Sequence, residues 1–474
     1  MTQAKWSRRA FIGHSALALG ASSMPTALLA QTTLKVRPEW QAFKTTARYA
    51  SLLKAISLMK ANTNPADPGS WSYWTNIHVT NCPHSVAYFL AWHRGYLYHF
   101  ERRLRTVSGD SQLVLPYWDY YAYPTMPAEF TDASGTNPLY VERINTNVQP
   151  VLTMAPFGPT LTNFQRGTSN AFEPSIEDAP HNPVHDLIGG IMATMQSPVD
   201  PIFWLHHANI DRLWVAWVSA GGGRTMPGTS SPYWAGAHTY TSSLSIPRAS
   251  THGTRTTLGY RYYNETMPLM LPSSRKTRSA APSAAGQLAA PVPALGALRP
   301  SGPRQTGPTT FSLGGAENLT LDENGVSVSL PANAEHARTL QEIGAGKAAK
   351  IPGRPELYRS VIITFDLVTL TERGKLGGYF YQLYLNIPAQ GGGGKPRSIP
   401  IGTLGAFKIN SAAHHEGGQV RLYYPIRRAL RGAMSEELGA LSLSFVRVNG
   451  EHSPRGAVIG MGEVRLEVST EDVD

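Results

Sequence analysis

Histidine is the residue whose placement in this chain first asks for a chemical explanation. Eight of the fifteen histidines fall between positions 78 and 207, where an even scatter would leave about four. They form two groups. The first is His78, His84 and His93, in the stretches Asn76-Ile77-His78, Cys82-Pro83-His84 and Ala91-Trp92-His93-Arg94. The second is His181 and His185 with either His206 or His207, the latter pair closing Asp200-Pro201-Ile202-Phe203-Trp204-Leu205-His206-His207. Imidazole suits copper, iron, nickel and zinc alike, so two triplets predict two metal positions with open sites and leave the metal unnamed. A lone His-x-x-x-His is common by chance, and the aromatic residues around 71–121 are most simply core packing. The reading rests on the two triplets together, each set among aromatic helices. His99, His414 and His415 have no supporting pattern and are expected at the surface or behind the ligands.

The spacing constrains the elements that must hold these rings. His181 and His185, four apart, share one helical face. The nine residues from His84 to His93 would turn a helix through about 900°, pointing the two rings opposite ways. Both can serve one metal only if His84 stands off the helix at its start, a place Pro83 favours. His78 is then expected from the preceding loop. Leu52, Leu53, Ile56 and Met59 recur at helical spacing and predict a helix within 38–61, ended by Pro65 and Pro68. Further helices are expected over about 84–105, 181–196 and 205–219, with residues 110–170 as long surface loops.

The 474 residues allow two or three domains, and 42% apolar content can fill their cores. Ser7-Arg8-Arg9-Ala10-Phe11 before a mild apolar stretch reads as a twin-arginine signal over 1–30, so the mature protein is expected in the periplasm or secreted. After it no apolar run reaches about 18 residues, and no membrane span is expected. Residues 273–310 are a low-complexity Ala/Pro/Ser/Gly stretch with the character of a flexible linker, its Arg and Lys open to an activating protease. Beyond it, β-rich runs at 361–365, 379–385, 420–424, 441–448 and 464–468 predict an antiparallel β-sandwich over 311–474. The leader carries three of the net +10 charges and the linker five, leaving +2, which argues against a nucleic-acid partner. Cys82 is the sole cysteine, so no internal disulfide forms.

These motifs resemble the tyrosinase and polyphenol oxidase family over roughly residues 37–265. The resemblance is carried by Pro65-Ala66-Asp67-Pro68-Gly69-Ser70-Trp71 before His78, by His84 through Trp92-His93-Arg94-Gly95-Tyr96-Leu97 to Phe100-Glu101-Arg102, and by Leu115-Pro116-Tyr117-Trp118-Asp119. It continues in His181-Asn182-Pro183-Val184-His185 and in Asp200-Pro201 through His206-His207-Ala208-Asn209-Ile210-Asp211-Arg212-Leu213-Trp214. More weakly, Tyr260-Arg261-Tyr262 is similar to the family's tyrosine motif, expected to pack on Arg37. The segments 422–448 and 457–468 are similar to a C-terminal shielding domain.

The resemblance implies a mainly α catalytic domain over 31–272, a four-helix bundle holding a dicopper site, followed by the β-sandwich shield. It implies His78, His84 and His93 on one copper and His181, His185 and His207 on the other, with His206 behind and Asp211 orienting His207. Cys82 matches the cysteine that some members join to the second ligand, here His84, by a thioether; a free thiol or a copper-loading ligand are the alternatives. Glu177 matches the acid that holds a water and Asn182 the neighbour that helps it take the phenol proton, although a first-turn acid on a helix dipole would look the same. Thr194, beside Met195, stands where strict plant catechol oxidases carry a phenylalanine gate, and its smaller size would admit monophenols. The expected function is oxidation of small phenols with O2 as co-substrate, hydroxylating monophenols and converting o-diphenols to o-quinones. The enzyme would stay latent while an apolar or aromatic side chain from 376–410 plugs the site. A catechol or o-aminophenol oxidase, or a haemocyanin-like oxygen carrier, would show the same histidines. A mononuclear zinc or iron hydrolase would leave the first triplet without a task.

Overall fold

The computed structural model describes residues 34–272, 298–389, 396–416 and 419–473; the twin-arginine stretch and most of the expected linker lie outside them. The first half is helical: α1 (Trp40–Phe43), α2 (Arg48–Ala61), α3 (Trp71–Asn81), α4 (Phe89–Ser108), α5 (Ala128–Thr131), α6 (Phe172–Ile176), α7 (Asn182–Ile188) and α8 (Ile202–Ser219). The stripe Leu52, Ala55, Ile56 and Met59 buries α2 against α4, and α4 packs on α8. Helix α8 is largely apolar and buried around most of its circumference, while α4 is buried on all sides over its first half and turns Arg102, Arg103 and Arg105 toward solvent in its second. Phe100 of α4 and Trp204 of α8 stack at 3.4 Å between centroids, joining the two.

The helix ends follow local chemistry. Ser70 caps α3, its hydroxyl accepting the Tyr73 N–H at 3.1 Å. Gly109, at φ 78°, ends α4 in the left-handed conformation that suits glycine. Two boundaries differ from the sequence expectation. His78 lies inside α3 rather than on a loop, because the Ser70 cap starts a Pro- and Gly-free run that reaches Asn81. The helix expected over 181–196 stops at Ile188, where Gly189 and Gly190 both take positive φ and 3-10 turns follow.

The helical half is closed by β1 (Lys35–Arg37) pairing in parallel with β4 (Tyr260–Tyr262), and a hairpin of β2 (Ala237–Thr241) and β3 (Leu244–Pro247) lies between them in sequence. Arg37 is fully buried at this seam. Its Nε donates to Glu101 at 2.7 Å and its Nη1 to the Tyr262 hydroxyl at 3.0 Å, while its guanidinium sits 3.7 Å over the Tyr260 ring.

The second half is a sandwich of antiparallel sheets built from β5 (Arg299–Ser301), β6 (Arg304–Gln305), β7 (Thr310–Leu321), β8 (Val326–Pro331), β9 (Ser360–Leu370), β10 (Tyr379–Ile387), β11 (Arg397–Gly405), β12 (Val420–Pro425), β13 (Ala440–Asn449) and β14 (Ile459–Ser469). One sheet runs β11-β10-β13-β8 and the other β12-β9-β14-β7-β5, with β6 also on β7. The period of two is plain in β14, where Val464, Leu466 and Val468 enter the core and Arg465 pairs with Glu463 and Glu467 on the other face. Helices α9 (Ala334–Gly344) and α10 (Ala406–Glu416) complete this half. The sheet starts before the boundary expected at 311. Arg299 and Arg304, read as linker charges, find Glu317 at 3.5 Å and Glu463 at 2.5 Å on β7 and β14, so the sheet takes in residues from Arg299 onward.

The halves dock through a close glycine crossing. A Cβ on Gly189 would lie 2.7 Å from the Gly378 nitrogen, and one on Gly377 would lie 2.8 Å from the Ala193 Cβ. The Gly378 N–H donates to the Asp186 carbonyl at 2.7 Å, and Asn145 donates to Gly378 O at 3.2 Å while accepting the His452 N–H at 2.8 Å. No helix among the described residues is long and apolar enough to cross a membrane.

Removing Arg37 leaves Glu101 and Asp211 buried with less compensation. Arg37→Ala should cost about 3–5 kcal/mol of stability, the usual consequence of breaking a buried ion pair from one side. Urea denaturation measures it, and an unchanged midpoint would show that this seam does not hold the helical half together.

Candidate metal centre

The two histidine groups converge in space as the spacing predicted. His78, Cys82, His84 and His93 form one buried set, and His181, His185, His206 and His207 the other, with ligand atoms in each within 4.8 Å of one another. His84 stands on the loop between α3 and α4, so it reaches the same point as His93 despite the nine-residue gap. His207 Nε2 lies 3.3 Å from His181 Nε2 and 3.4 Å from His185 Nε2. The sets face each other: the His93 and His207 rings stack at 4.2 Å, 18° apart, and His84 faces His181 at 5.9 Å. Phe203 packs against His78 at 5.1 Å and His207 at 4.2 Å, and Phe89 against His181 at 4.6 Å.

Hydrogen bonds to the outer nitrogens settle which tautomer faces inward. Nδ1 of His78 bonds the Met195 carbonyl, that of His93 the Phe89 carbonyl and that of His185 the Met192 carbonyl, all at 2.8 Å. His181 Nδ1 bonds Asn182 Oδ1 at 2.9 Å. A carbonyl oxygen only accepts, so each Nδ1 carries the proton and each Nε2 presents a lone pair to the centre. Burial keeps the rings neutral: the His78 pKa is lowered to about 4 and that of His185 to about 3, and His93, His181 and His207 lie well below the ordinary value. Lone pairs buried against each other are costly unless something positive lies between them, and His78 Nε2 has no hydrogen-bond partner among the described residues. The donor set fits two metal ions, and neutral nitrogen ligands suit copper.

The remaining candidate residues separate into those at the centre and those displaced from it. Cys82 Sγ lies 3.2 Å from His93 Nε2 and 3.5 Å from His84 Nε2, inside the first group. His206 stacks on His181 at 5.3 Å with neither ring nitrogen hydrogen-bonded among the described residues, whereas His207 Nε2 reaches both partners. Asp211 does not touch the His207 imidazole. Its carboxylate is taken by Arg94 Nε at 2.6 Å and the Tyr260 and Tyr262 hydroxyls at 2.7 and 2.6 Å, donors that the turn-by-turn argument could not see. Buried Glu177 accepts the Ser85 N–H at 2.7 Å and pairs with Arg166; burial raises its pKa against the pull of that guanidinium. Asn182 spends its amide oxygen on His181. Thr194 is half-buried and closes its own turn, donating to Ile191 O at 2.9 Å and accepting the Gln196 N–H at 3.1 Å, while Met195 reaches the site through its carbonyl.

One residue from the sandwich enters the site. Phe407, on α10 and within the 376–410 window, stacks on His185 at 4.1 Å and 13°, and stands edge-on to His84 at 5.1 Å and His181 at 5.7 Å. Its N–H donates to Asp186 Oδ1 at 2.7 Å, and burial pushes the Asp186 pKa up to about 8. Lys408 Nζ lies 3.3 Å from Asp178 Oδ1, and Asn410 donates to the Ala193 carbonyl at 2.7 Å.

Known proteins are similar to this chain in sequence and in fold. The family model for the common central domain of tyrosinase matches residues 68–157 and 136–220, the stretch carrying both histidine groups. A tyrosinase of Hahella sp. (strain CCB-MM4) is 35% identical over 180 residues, covering 30% of this chain and 38% of that protein. A tyrosinase of Streptomyces antibioticus is 32% identical over 200 residues, covering 33% of this chain and 69% of that protein. The structure of latent apple tyrosinase superposes with a TM-score of 0.51 at 19% identity, covering 92% of this chain and 97% of that one, so the likeness of fold takes in the sandwich. This chain thus spans well under half the length of the Hahella relative.

Buried neutral histidines make the metal-free protein acid-sensitive. Below about pH 6.5 the unfolded chain binds protons that these rings refuse, so each lowers stability by about 1.4 kcal/mol per pH unit as pH falls toward its folded pKa. Glu39 and Glu173, with pKa raised to about 7, and Asp186 oppose this by taking up protons in the folded state, but the histidines outnumber them. The metal-free protein should melt lower at pH 5 than at pH 7 in a calorimetric scan; a higher midpoint at pH 5 would show that the carboxyls dominate.

Proposed function

Since this chain belongs to the tyrosinase family, we propose that it is a copper-dependent phenol oxidase kept latent by its own sandwich domain. The observation that carries the reading is the pair of facing imidazole groups with inward lone pairs, closed over by the single ring of Phe407. His78, His84 and His93 would hold one copper and His181, His185 and His207 the other. Copper bound there would supply the redox chemistry with dioxygen, ending in ortho-hydroxylation of monophenols and conversion of o-diphenols to o-quinones.

The chain's own residues have distinct tasks in this scheme. The aromatic walls Phe89 and Phe203 exclude water from the ligand rings, and carbonyls and Asn182 fix the rings' tautomers. A phenol has a pKa of about 10 and must lose its proton near neutral pH. Glu177 is the acceptor we assign: a buried carboxylate of raised pKa, held by Arg166 and the Ser85 N–H, with the proton passing through water. Thr194, small and folded onto its own turn, leaves no bulky gate, which supports activity on monophenols. A thioether from Cys82 to His84, whose Nε2 lies 3.5 Å from the sulfur, belongs to this reading: sulfur and an imidazole carbon each give up a hydrogen, and dioxygen takes both as hydrogen peroxide. Intact-mass measurement of the oxidised protein should then show a mass lower by two hydrogens and no free thiol; a titratable Cys82 would refute the tether. The twin-arginine stretch supports export of the folded protein.

Latency follows from Phe407, whose ring lies face to face with His185 where a phenol ring would need to pack. Oxygen uptake by the copper-loaded full-length protein, with a monophenol and its matching catechol, tests the whole reading before and after mild proteolysis in the 273–297 stretch. Uptake with both, rising after cleavage, is expected. Uptake with the catechol alone would make it a diphenol oxidase, and reversible oxygen binding without turnover would make it a carrier. Phe407→Ala in the full chain should raise catechol turnover at least about tenfold without cleavage, the equivalent of about 1.4 kcal/mol of pocket occupancy.

A further inference from the structure

The sandwich gathers arginines around a cavity of its own. The cavity has a volume of about 390 Å³, and its lining includes Arg397, Arg428 and Arg431 together with Ile399, Ile401 and Pro425. Cavities of about 300–1,000 Å³ are the size that holds small molecules. No acidic side chain is among the lining residues. Arginines at a surface are ordinarily satisfied by water, and Arg397 is not. Its Nη1 donates to the Arg431 carbonyl at 3.3 Å, but its Nη2 is shut off from solvent and has no acceptor among the described residues. A buried guanidinium N–H without an acceptor is costly, and more so beside two further cations. The neighbouring Arg427 shows the contrast, since Asp472 pairs with it at 2.9 Å. All three cations of the lining are arginines, whose planar forks bind oxoanions through paired N–H groups and stay charged at any pH the protein meets. A phosphate monoester answers three such groups with three terminal oxygens and up to two charges. We infer that this cavity binds a small organic phosphate, its head on the arginines and its carbon body on Ile399 and Ile401, and that the bound phosphate holds β11 to β12 and so keeps Phe407 in the histidine site.

The second half of the inference follows from chain order. β11 ends at Gly405, α10 begins at Ala406 and carries Phe407, and β12 is the next strand. The cavity is therefore lined by the two strands that flank the plugging helix and by the turn after the second of them. These strands are edges of different sheets, so no ladder of main-chain bonds joins them. Side chains tie them instead: the Tyr424 hydroxyl donates to the Thr403 carbonyl at 2.9 Å, and Arg397 reaches the Arg431 carbonyl. A phosphate shared by Arg397 on β11 and by Arg428 and Arg431 beyond β12 adds a further tie. Local withdrawal of α10 requires the two strands to part, and the bound phosphate opposes it.

The hold on α10 rests on the latent phenol oxidase reading, and the binding does not, so the experiment has separate arms. Titration calorimetry on the copper-loaded full-length protein, with ionic strength held by chloride, compares monobutyl phosphate with inorganic phosphate. Monobutyl phosphate should bind more tightly by about threefold or more, because its chain buries apolar surface. Arg397→Ala should weaken it at least about tenfold, and Arg397→Lys should recover only part, since an ammonium keeps the charge without the fork. Arg431→Ala, at an exposed position, repeats the test if Arg397→Ala fails to fold. Arg373→Ala, outside the lining, should leave binding unchanged. Catechol oxygen uptake by the uncleaved protein should fall about threefold or more in saturating monobutyl phosphate, as for a ligand that favours the closed form, and uptake after cleavage should not respond. Sedimentation with vesicles of phosphatidylcholine and phosphatidic acid is the third arm. No binding of either soluble phosphate, or binding that Arg397→Ala and Arg431→Ala leave unchanged, would overturn the site, and sedimentation with vesicles alone would replace it by a lipid surface. Binding with no effect on uptake would overturn the hold on α10. Oxygen uptake under no condition would overturn the phenol oxidase reading, while the calorimetry still decides the site.

Discussion

The constraint on which the structure turns is that neutral imidazoles must be buried with their lone pairs facing one another. Exposed, the rings would titrate and move; buried without fixed tautomers, their protons would point into the centre. The chain answers with main-chain acceptors. Phe89 sits one turn before His93 on α4, and Met192 and Met195 lie on the turns that follow α7, so three carbonyls each take one Nδ1 proton. Those turns exist because α7 is stopped at Gly189, which ties a helix end in the sequence to a tautomer in the site. The same constraint explains why α8 and the first half of α4 are buried almost all round. They must exclude water from the centre on one side and pack into the bundle on the other.

The shield uses this architecture rather than adding its own. Asp186 accepts the Gly378 N–H on its carbonyl and the Phe407 N–H on its carboxylate, so a single residue next to a metal ligand holds the sandwich at two points. Its side-chain oxygen takes the Phe407 N–H in the first turn of α10, one of the N–H groups that a helix start leaves without an intrahelical partner. The plug and the clamp are therefore coupled through α7. The sandwich cannot shift at Gly378 without disturbing the residue that seats Phe407, and the glycine crossing leaves no room for a gradual slide.

Much of this was legible in the sequence, and the reasons for the exceptions are physical. Histidine is rare enough, and its ligand spacing constrained enough, that both groups could be read directly, while the choice between His206 and His207 came only from the family resemblance. The runs that form β9, β10, β12, β13 and β14 were legible because they are rich in strand-forming residues and separated by turn residues. What escaped was set by partners distant in the chain. Arg299 and Arg304 look like linker charges until Glu317 and Glu463 are placed beside them. Phe407 is one aromatic among many until α10 carries it to His185. The carbonyls of Met192 and Met195 carry no side-chain signature at all. His78 is a different case, since the Ser70 cap that starts α3 was present in the sequence and was outweighed by the expectation of a loop.

Asp211 shows how a residue can govern the metal centre without touching it. Consecutive residues on a helix point about 100° apart, so Arg94 turns away from His93 on α4, while Asp211 lies one turn along α8 from His207 and on the same side of it. Arg94 and Asp211 meet at 2.6 Å between the same pair of helices that bring His93 and His207 to 4.2 Å, about one turn further along α8. The ion pair is nearly free of solvent, and it is further bound by Tyr260, Tyr262 and, through Asp211, Arg37 at 3.7 Å. A buried pair with this many partners resists separation far more than an exposed one. It fixes how far apart α4 and α8 stand, and with that the separation of the two histidine groups. The closing strands β1 and β4 supply Arg37, Tyr260 and Tyr262, so the ends of the helical half meet where they set the spacing of its centre.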